Sequence, residues 1–559
     1  MTGARTPLVA VENLTVDFHS GAGSFRAVEG VSFHVDPGET LVILGESGSG
    51  KSVSSSAIMG LIDMPPGEIV TGRILYEGRD ITHLTEAERA AFNGSKIAMI
   101  FQDPLSHLNP VFTIGWQLAE VYTAHGKCDR AEARRRSVEV LRRVGIPDPE
   151  TRIDWYPHQF SGGQRQRIMI GMAIALDPKV LIADEPTTAL DVSVQGQVLE
   201  LMRKLQREDG LAIIMITHDL EVAASMADRI VVMNQGNIVE RGEARQVFAR
   251  PRHAYTRRLM SALPDHDAKA ERPESTAEPI LEVRRLTKYY GLPAGAEPRP
   301  AMKPAVGDVS FTLRKGQTIG IVGESGSGKS TIARMLLRLT PTTSGEVLFH
   351  GEDVLAMDRR RLLAYRRRAQ MVFQDPYSSM NPRMSVFRII SEPWIIHPDI
   401  LPKAKWRDRV AELLGLVGLR PEHADRHPHQ FSGGQRQRIA IARALACDPE
   451  LIVCDEAVSA LDVSIQMQVI ELLADLRERL GLSYIFITHD LPIVRDFADR
   501  VLVMKSGRLV EEQETEALFR RPREDYTRML VNAAPKPKWE VEPGAARPAE
   551  RAATERVGG

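Results

Sequence analysis

The chain is written twice. "GESGSGKS" fills residues 45–52 and returns at 323–330, and "PHQFSGGQRQRI" fills 157–168 and returns at 428–439. "FQDP" (101–104 and 373–376), "LDVS" (190–193 and 461–464) and "ITHDL" (216–220 and 487–491) recur in the same order. Ser161 to Ser432, Asp184 to Asp455, His218 to His489 and Tyr255 to Tyr526 are each 271 positions apart. Gln102 to Gln374 is 272, and Gly45 to Gly323 is 278. So steady an offset marks the duplication of a whole domain, not a short-period solenoid. The length differences fall in loop-like stretches such as YGLPAGAEPRPAMKPAVGD, rich in Gly and Pro. Any fold proposed for one half must serve the other.

Each "GESGSGKS" fits the phosphate-binding pattern G-x-x-x-x-G-K-[ST], after an apolar strand (LVIL, IGIV) and before a helical stretch. Gly45, Glu46, Ser47, Gly48, Ser49 and Gly50 form a loop whose backbone N–H groups can turn toward phosphate oxygens. The helix that follows adds partial positive charge. Lys51 reaches the β- and γ-phosphates and Ser52 ligates Mg2+ in this reading. Gly323, Glu324, Ser325, Gly326, Ser327, Gly328, Lys329 and Ser330 repeat it.

The runs VLIAD and LIVCD are short and β-branched, as buried parallel strands are. They end in Asp184-Glu185 and Asp455-Glu456. A carboxylate there can hold Mg2+, and the neighbouring Glu can polarise an attacking water. The class is α/β with a mostly parallel sheet. The stretch between "FQDP" and "SGGQ" reads as a helical subdomain.

Bulk properties exclude several classes. Lys plus Arg is 72 against 73 Asp plus Glu, a net charge of −1, which argues against a protein built to coat nucleic acid. Three cysteines, none in a C-x-x-C pair, give no disulfide framework and point to a reducing cytosol. No apolar run reaches the roughly 20 residues of a membrane span. The segment ALPDHDAKAERPESTAEP (262–279) reads as a flexible acidic linker. The expected boundaries are 8–262 for the first domain, 263–279 for the linker, 280–532 for the second domain and 533–559 for a disordered tail.

These motifs in this order resemble the nucleotide-binding domain of an ABC ATPase. The resemblance covers nearly all of 8–262 and 280–532, and implies a β subdomain of antiparallel strands in each. It implies that Gln102 and Gln374 contact Mg2+ or water and sense a membrane partner. Ser161, Gly162, Gly163 and Gln164 then match the signature motif, with Ser432, Gly433, Gly434 and Gln435 as its second copy. Asp191 and Asp462 match the D-loop, and His218 and His489 the γ-phosphate switch. Phe18 and Tyr290 stand where the family stacks an aromatic on adenine. In this family one domain's signature closes over ATP held by the other, so the resemblance implies two composite sites. The first would join Gly45–Ser52 to Ser432–Gln435, and the second Gly323–Ser330 to Ser161–Gln164. Departures are few: Phe160 and Phe431 replace the usual Leu, Ala457 replaces a Pro, and Gly171-Met172 stands where the second half has Ala442-Arg443.

FQDPLSHLNP, FQDPYSSMNP and the segments RPRHAYTRRLMSALP and RPREDYTRMLVNAAP resemble the peptide, opine and nickel importers. That implies two integral-membrane permease subunits, an external solute-binding protein, and a peripheral place on the cytoplasmic membrane face. The competing reading is a soluble twin-cassette ATPase acting on ribosomes, which the short acidic linker disfavours. A DNA-repair ATPase would need zinc cysteines or long coiled coils, and neither is present.

Overall fold

The computed structural model describes residues 6–21, 23–102, 107–188, 190–261, 276–292, 302–375, 379–459, 461–533 and 537–541. The expected linker lies largely outside these, as do Asp103, Pro104 and most of the expected tail. The chain divides into one unit of 1–263 with 534–559, and a second of 264–533.

Among the described residues the first unit has ten strands: β1 (Val9–Ser20), β2 (Gly23–Val35), β3 (Thr40–Leu44), β4 (Gly67–Tyr76), β5 (Arg79–Asp80), β6 (Ile97–Ile100), β7 (Val180–Asp184), β8 (Ala212–Thr217), β9 (Arg229–Asn234) and β10 (Asn237–Glu243). They make an antiparallel sheet ordered β2-β1-β4-β5 and a six-stranded sheet ordered β10-β9-β3-β8-β7-β6. In the larger sheet only the β9–β10 edge is antiparallel. β3, β7 and β8 are buried along their whole length, which is why they read as unbroken apolar runs. Residues of both sheets, among them Leu14, Val31, Ile43 and Ile182, share one hydrophobic core with Ile58 of the helix Lys51–Met59.

This order decides where the site forms. β6, β7, β8 and β3 are neighbours and run the same way, so their carboxyl ends face one crevice. The phosphate loop leaves β3, Asp184 ends β7, His218 follows β8 and Gln102 follows β6.

The second unit repeats the plan with β11 (Pro279–Lys288), β12 (Val306–Arg314), β13 (Thr318–Val322), β14 (Ser344–Phe349), β15 (Glu352–Asp353), β16 (Ala369–Val372), β17 (Leu451–Asp455), β18 (Ser483–Ile487), β19 (Arg500–Lys505) and β20 (Arg508–Glu514). The orders are β12-β11-β14-β15 and β16-β17-β18-β13-β19-β20. Helices Ile114–Ala124, Arg130–Arg143 and Gly162–Ile174 make the helical part of the first unit. Val386–Ile396, Trp406–Leu416 and Gly433–Leu445 correspond in the second.

Of the expected tail, 533–559, Ala533 ends the helix Asp525–Ala533 and four further residues are helical. Lys538–Val541 form a helical turn against the first unit. Lys538 pairs with Asp228, and the Trp539 ring lies 5.3 Å from that of Phe248. Trp539, the tail's one aromatic, and Lys538 supply these contacts.

Candidate active sites

Both phosphate loops are built by close backbone approach. A Cβ on Gly45 would sit 2.3 Å from the Met233 carbonyl oxygen, and one on Gly323 2.2 Å from that of Met504. Only glycine fits where the loop crosses β9 or β19. Lys51 is buried and its ammonium donates to the carbonyls of Gly45 (2.7 Å) and Glu46 (2.8 Å). Lys329 donates to Gly323 (2.6 Å) and Glu324 (3.0 Å). Each buried cation is held by two carbonyls of its own loop, which phosphate oxygens can outcompete.

At the ends of β7 and β17 the carboxylates take distinct partners. Ser52 donates its hydroxyl to Asp184 at 3.3 Å, and Ser330 to Asp455 at 2.8 Å. Burial raises both Asp carboxyls above their ordinary range, although the serine hydrogen bonds oppose it. The Gln102 amide donates to Glu185 at 2.7 Å, and Gln374 to Glu456 at 2.6 Å. His218 Nδ1 lies 2.9 Å from Glu185, while His489 Nδ1 is 3.8 Å from Glu456. Burial pushes Glu185 up, but the His218 hydrogen bond and charge outweigh it, so the carboxyl sits below its ordinary value. For Glu456 the leading cause of the same direction is His489, across that longer contact. Both groups are therefore carboxylates at neutral pH.

Glu185 and Glu456 also adopt φ of +47° and +48°. A left-handed backbone at a non-glycine residue costs about 1–2 kcal/mol. Such strain collects at functional sites. Residue identity alone did not announce it.

The two signature serines are helix caps. Ser161 accepts the N–H of Gln164, whose side-chain oxygen accepts the N–H of Ser161. Ser432 and Gln435 repeat this reciprocal capping box. The two glycines between them differ in kind. A Cβ on Gly163 would fall 2.1 Å from Val194, and one on Gly434 2.2 Å from Ile465. These glycines let the signature helix pack on the helices Val192–Asp209 and Val463–Leu480. Gly162 has open space instead, so its face stays accessible. Asp191 and Asp462 are N-cap residues of those packed helices.

Beyond the glutamines the two units differ. Arg443, on the signature helix, donates to the Ser379 carbonyl at 2.7 Å, tying the helix to the chain just past Gln374. The first unit has Met172 there. In the first unit the rings of Phe101 and His107 stack with centroids 4.4 Å apart. Gly171 has its own reason, since a Cβ would lie 2.9 Å from Val140 on the neighbouring helix.

The two aromatics fare unequally. Tyr290 is exposed beside the loop helix, its hydroxyl 3.5 Å from Thr331. Phe18 is partly buried against the first unit's core, while its cross-strand neighbour Phe25 is exposed. Sequence reasoning missed Thr188, which donates to Glu185 at 3.0 Å. It also left the repeated Tyr-Thr pair without a role.

A duplicated α/β domain whose strand ends bring together a phosphate loop, an Asp-Glu pair, a Gln and a His is a twin-cassette P-loop ATPase. The family model for the ABC transporter matches residues 28–188 and 306–459. That for the oligopeptide/dipeptide transporter C-terminal region matches 239–288 and 510–558. The chain belongs to the ABC transporter family. It is 46% identical over 531 residues to the peptidoglycan transport ATP-binding protein YejF of Agrobacterium fabrum, covering 94% of this chain and 96% of that one. It is 45% identical over 571 residues to the glutathione import ATP-binding protein GsiA of Escherichia coli K12, covering 97% and 91%. A solved dimeric ATP-binding cassette carrying ADP and phosphate aligns at 30% identity and TM-score 0.38, covering 42% of this chain and 98% of that one.

Proposed function

We propose that this protein is the paired ATPase of an importer for peptide-like solutes, working at two competent ATP sites. The observation that carries the reading is the completeness of both halves. Lys, Ser, Gln, Asp, Glu and His occupy corresponding places in each crevice, with no substitution at any of them. Two relatives named for glutathione import and peptidoglycan transport support the solute class.

In this reading the loop N–H groups and Lys51 or Lys329 hold the ATP phosphates. Glu185 or Glu456 orients a water and takes its proton as the oxygen attacks the γ-phosphorus, and ADP leaves with phosphate. The oxygen donors Ser52, Asp184 and Gln102, and Ser330, Asp455 and Gln374, suit a hard cation. Bound there, Mg2+ supplies neutralising charge at the phosphates. In this reading the signature motifs Ser161–Gln164 and Ser432–Gln435, whose serines and first glycines are exposed, each serve the ATP held by the other half.

The permease reading draws on a groove of mixed character in the second unit. It has a volume of about 640 Å3, and Leu337, Leu339, Leu363, Phe373 and Ile396 line it together with Arg366, Glu392, His397 and Arg443. Among the described residues no helix is long and apolar enough to cross a membrane. Docking on permeases at the cytoplasmic face, with a solute-binding protein outside, completes the proposal.

The test is reconstitution with candidate permease subunits, measuring ATP turnover against binding protein loaded with glutathione, a muropeptide or a dipeptide. Stimulation by one loaded form supports the reading and names the solute. Co-purification with ribosomal particles and no stimulation would sink it.

A further inference from the structure

The repeated segments RPRHAYT and RPREDYT lie far along the chain from the phosphate loops, yet each returns to one. The N–H of Glu46 donates to the Tyr255 hydroxyl at 3.1 Å, and that of Glu324 to the Tyr526 hydroxyl at 3.3 Å. Both tyrosines are buried, 6% and 8% exposed. Each is seated the same way. Glu240 on β10 accepts the N–H groups of Arg252 and His253, both at 2.9 Å. Glu511 on β20 accepts those of Arg523 (2.8 Å) and Glu524 (3.0 Å). These bonds pin the turn leading into the helices Ala254–Met260 and Asp525–Ala533, which carry the tyrosines.

The braced residue is also the one that meets the lysine. Glu46 gives its N–H to Tyr255 and its carbonyl to Lys51; Glu324 does the same between Tyr526 and Lys329. When phosphate draws the lysine off these carbonyls, the tyrosine still holds the same residue through its N–H. The loop then binds phosphate without first having to be ordered.

We infer that Tyr255 and Tyr526 are positioning residues that brace the two phosphate loops and set nucleotide affinity from the C-terminal segment of each half. This rests on the ATP-binding reading, and the wild-type chain is its control. The experiment is titration of the full chain with Mg-ATP, and steady-state hydrolysis, for the double variant Tyr255→Phe/Tyr526→Phe. The rings stay and only the hydroxyls go. We expect Kd and KM for ATP to rise about threefold to tenfold, the loss of one hydrogen bond per site, with kcat within about twofold. A general loosening would lower kcat as well and leave no such split. Unchanged Kd in a folded variant overturns the inference. If the variant does not fold, Glu240→Gln/Glu511→Gln is titrated instead. A raised Kd there supports the brace and an unchanged one overturns it. Failure of the wild type to bind ATP overturns the underlying reading itself.

Discussion

The Gln102 side-chain amide donates to Glu185 at 2.7 Å, joining the residue expected to sense a partner to the one expected to handle water. Any displacement of the Gln102 loop alters how that carboxylate is held. Gln374 and Glu456 stand in the same relationship at 2.6 Å.

Replacing either Glu by Gln tests whether both sites turn over. Glu185→Gln and Glu456→Gln keep the shape and remove the base, so each site should slow about 100-fold to 10,000-fold while still binding ATP. In the assembled transporter, steady-state phosphate release is the measurement. A single variant that hydrolyses at the wild-type rate would show that its site contributes nothing.

The signature glycines should part company. Gly163→Ala puts a methyl 2.1 Å from Val194, and overpacking of this kind costs about 1–3 kcal/mol. Gly162→Ala enters open space and should leave stability within about 0.5 kcal/mol of wild type. Urea unfolding separates the two. Equal loss in both would mean the helix contact with Val194 is not what demands glycine.

Arg443→Met should loosen the second half alone. It removes a 2.7 Å bond to the Ser379 carbonyl, worth about 1.5–3 kcal/mol at a charged donor. Hydrogen exchange around residues 379–381 should quicken, with 107–109 unaffected. Phe101→Ala is the equivalent lesion in the first half and should give the opposite pattern.

Glu511 supplies a pH dependence. Burial pushes its carboxyl up, but the N–H groups of Arg523 and Glu524 among other hydrogen bonds pull it below the ordinary value of 4.5. A depressed acid contributes stability that is full above its ordinary value and is lost as pH falls through the folded one. Glu511→Gln should therefore cost a constant amount above pH 4.5, about 1–3 kcal/mol, and the gap to wild type should shrink in more acid solution. Urea midpoints at pH 7, 5 and 4 check the sign.

Much of this was legible because the chemistry sits at strand ends. A phosphate loop after an apolar strand, and Asp-Glu ending another, locate themselves once the sheet is parallel. Ser161 and Gln164 carry a capping-box spacing, S-x-x-Q, visible in the sequence beneath the signature match. What stayed hidden depends on contacts between distant positions. Tyr255 meets Glu46 across 209 residues. The left-handed φ of Glu185 is a backbone property that no side chain encodes. The turn at Lys538–Val541 comes from two residues in a composition that otherwise lacks any core.

That turn bears on how the gene can be divided. A cut in the segment between the halves would appear to yield two self-sufficient proteins. The first product would lack Lys538 and Trp539, leaving Asp228 without that cation and Phe248 without its ring neighbour. The second would carry Trp539 without Phe248, its ring neighbour. Separate expression of the halves therefore calls for moving residues 537–541 to the first product, or supplying them as a peptide.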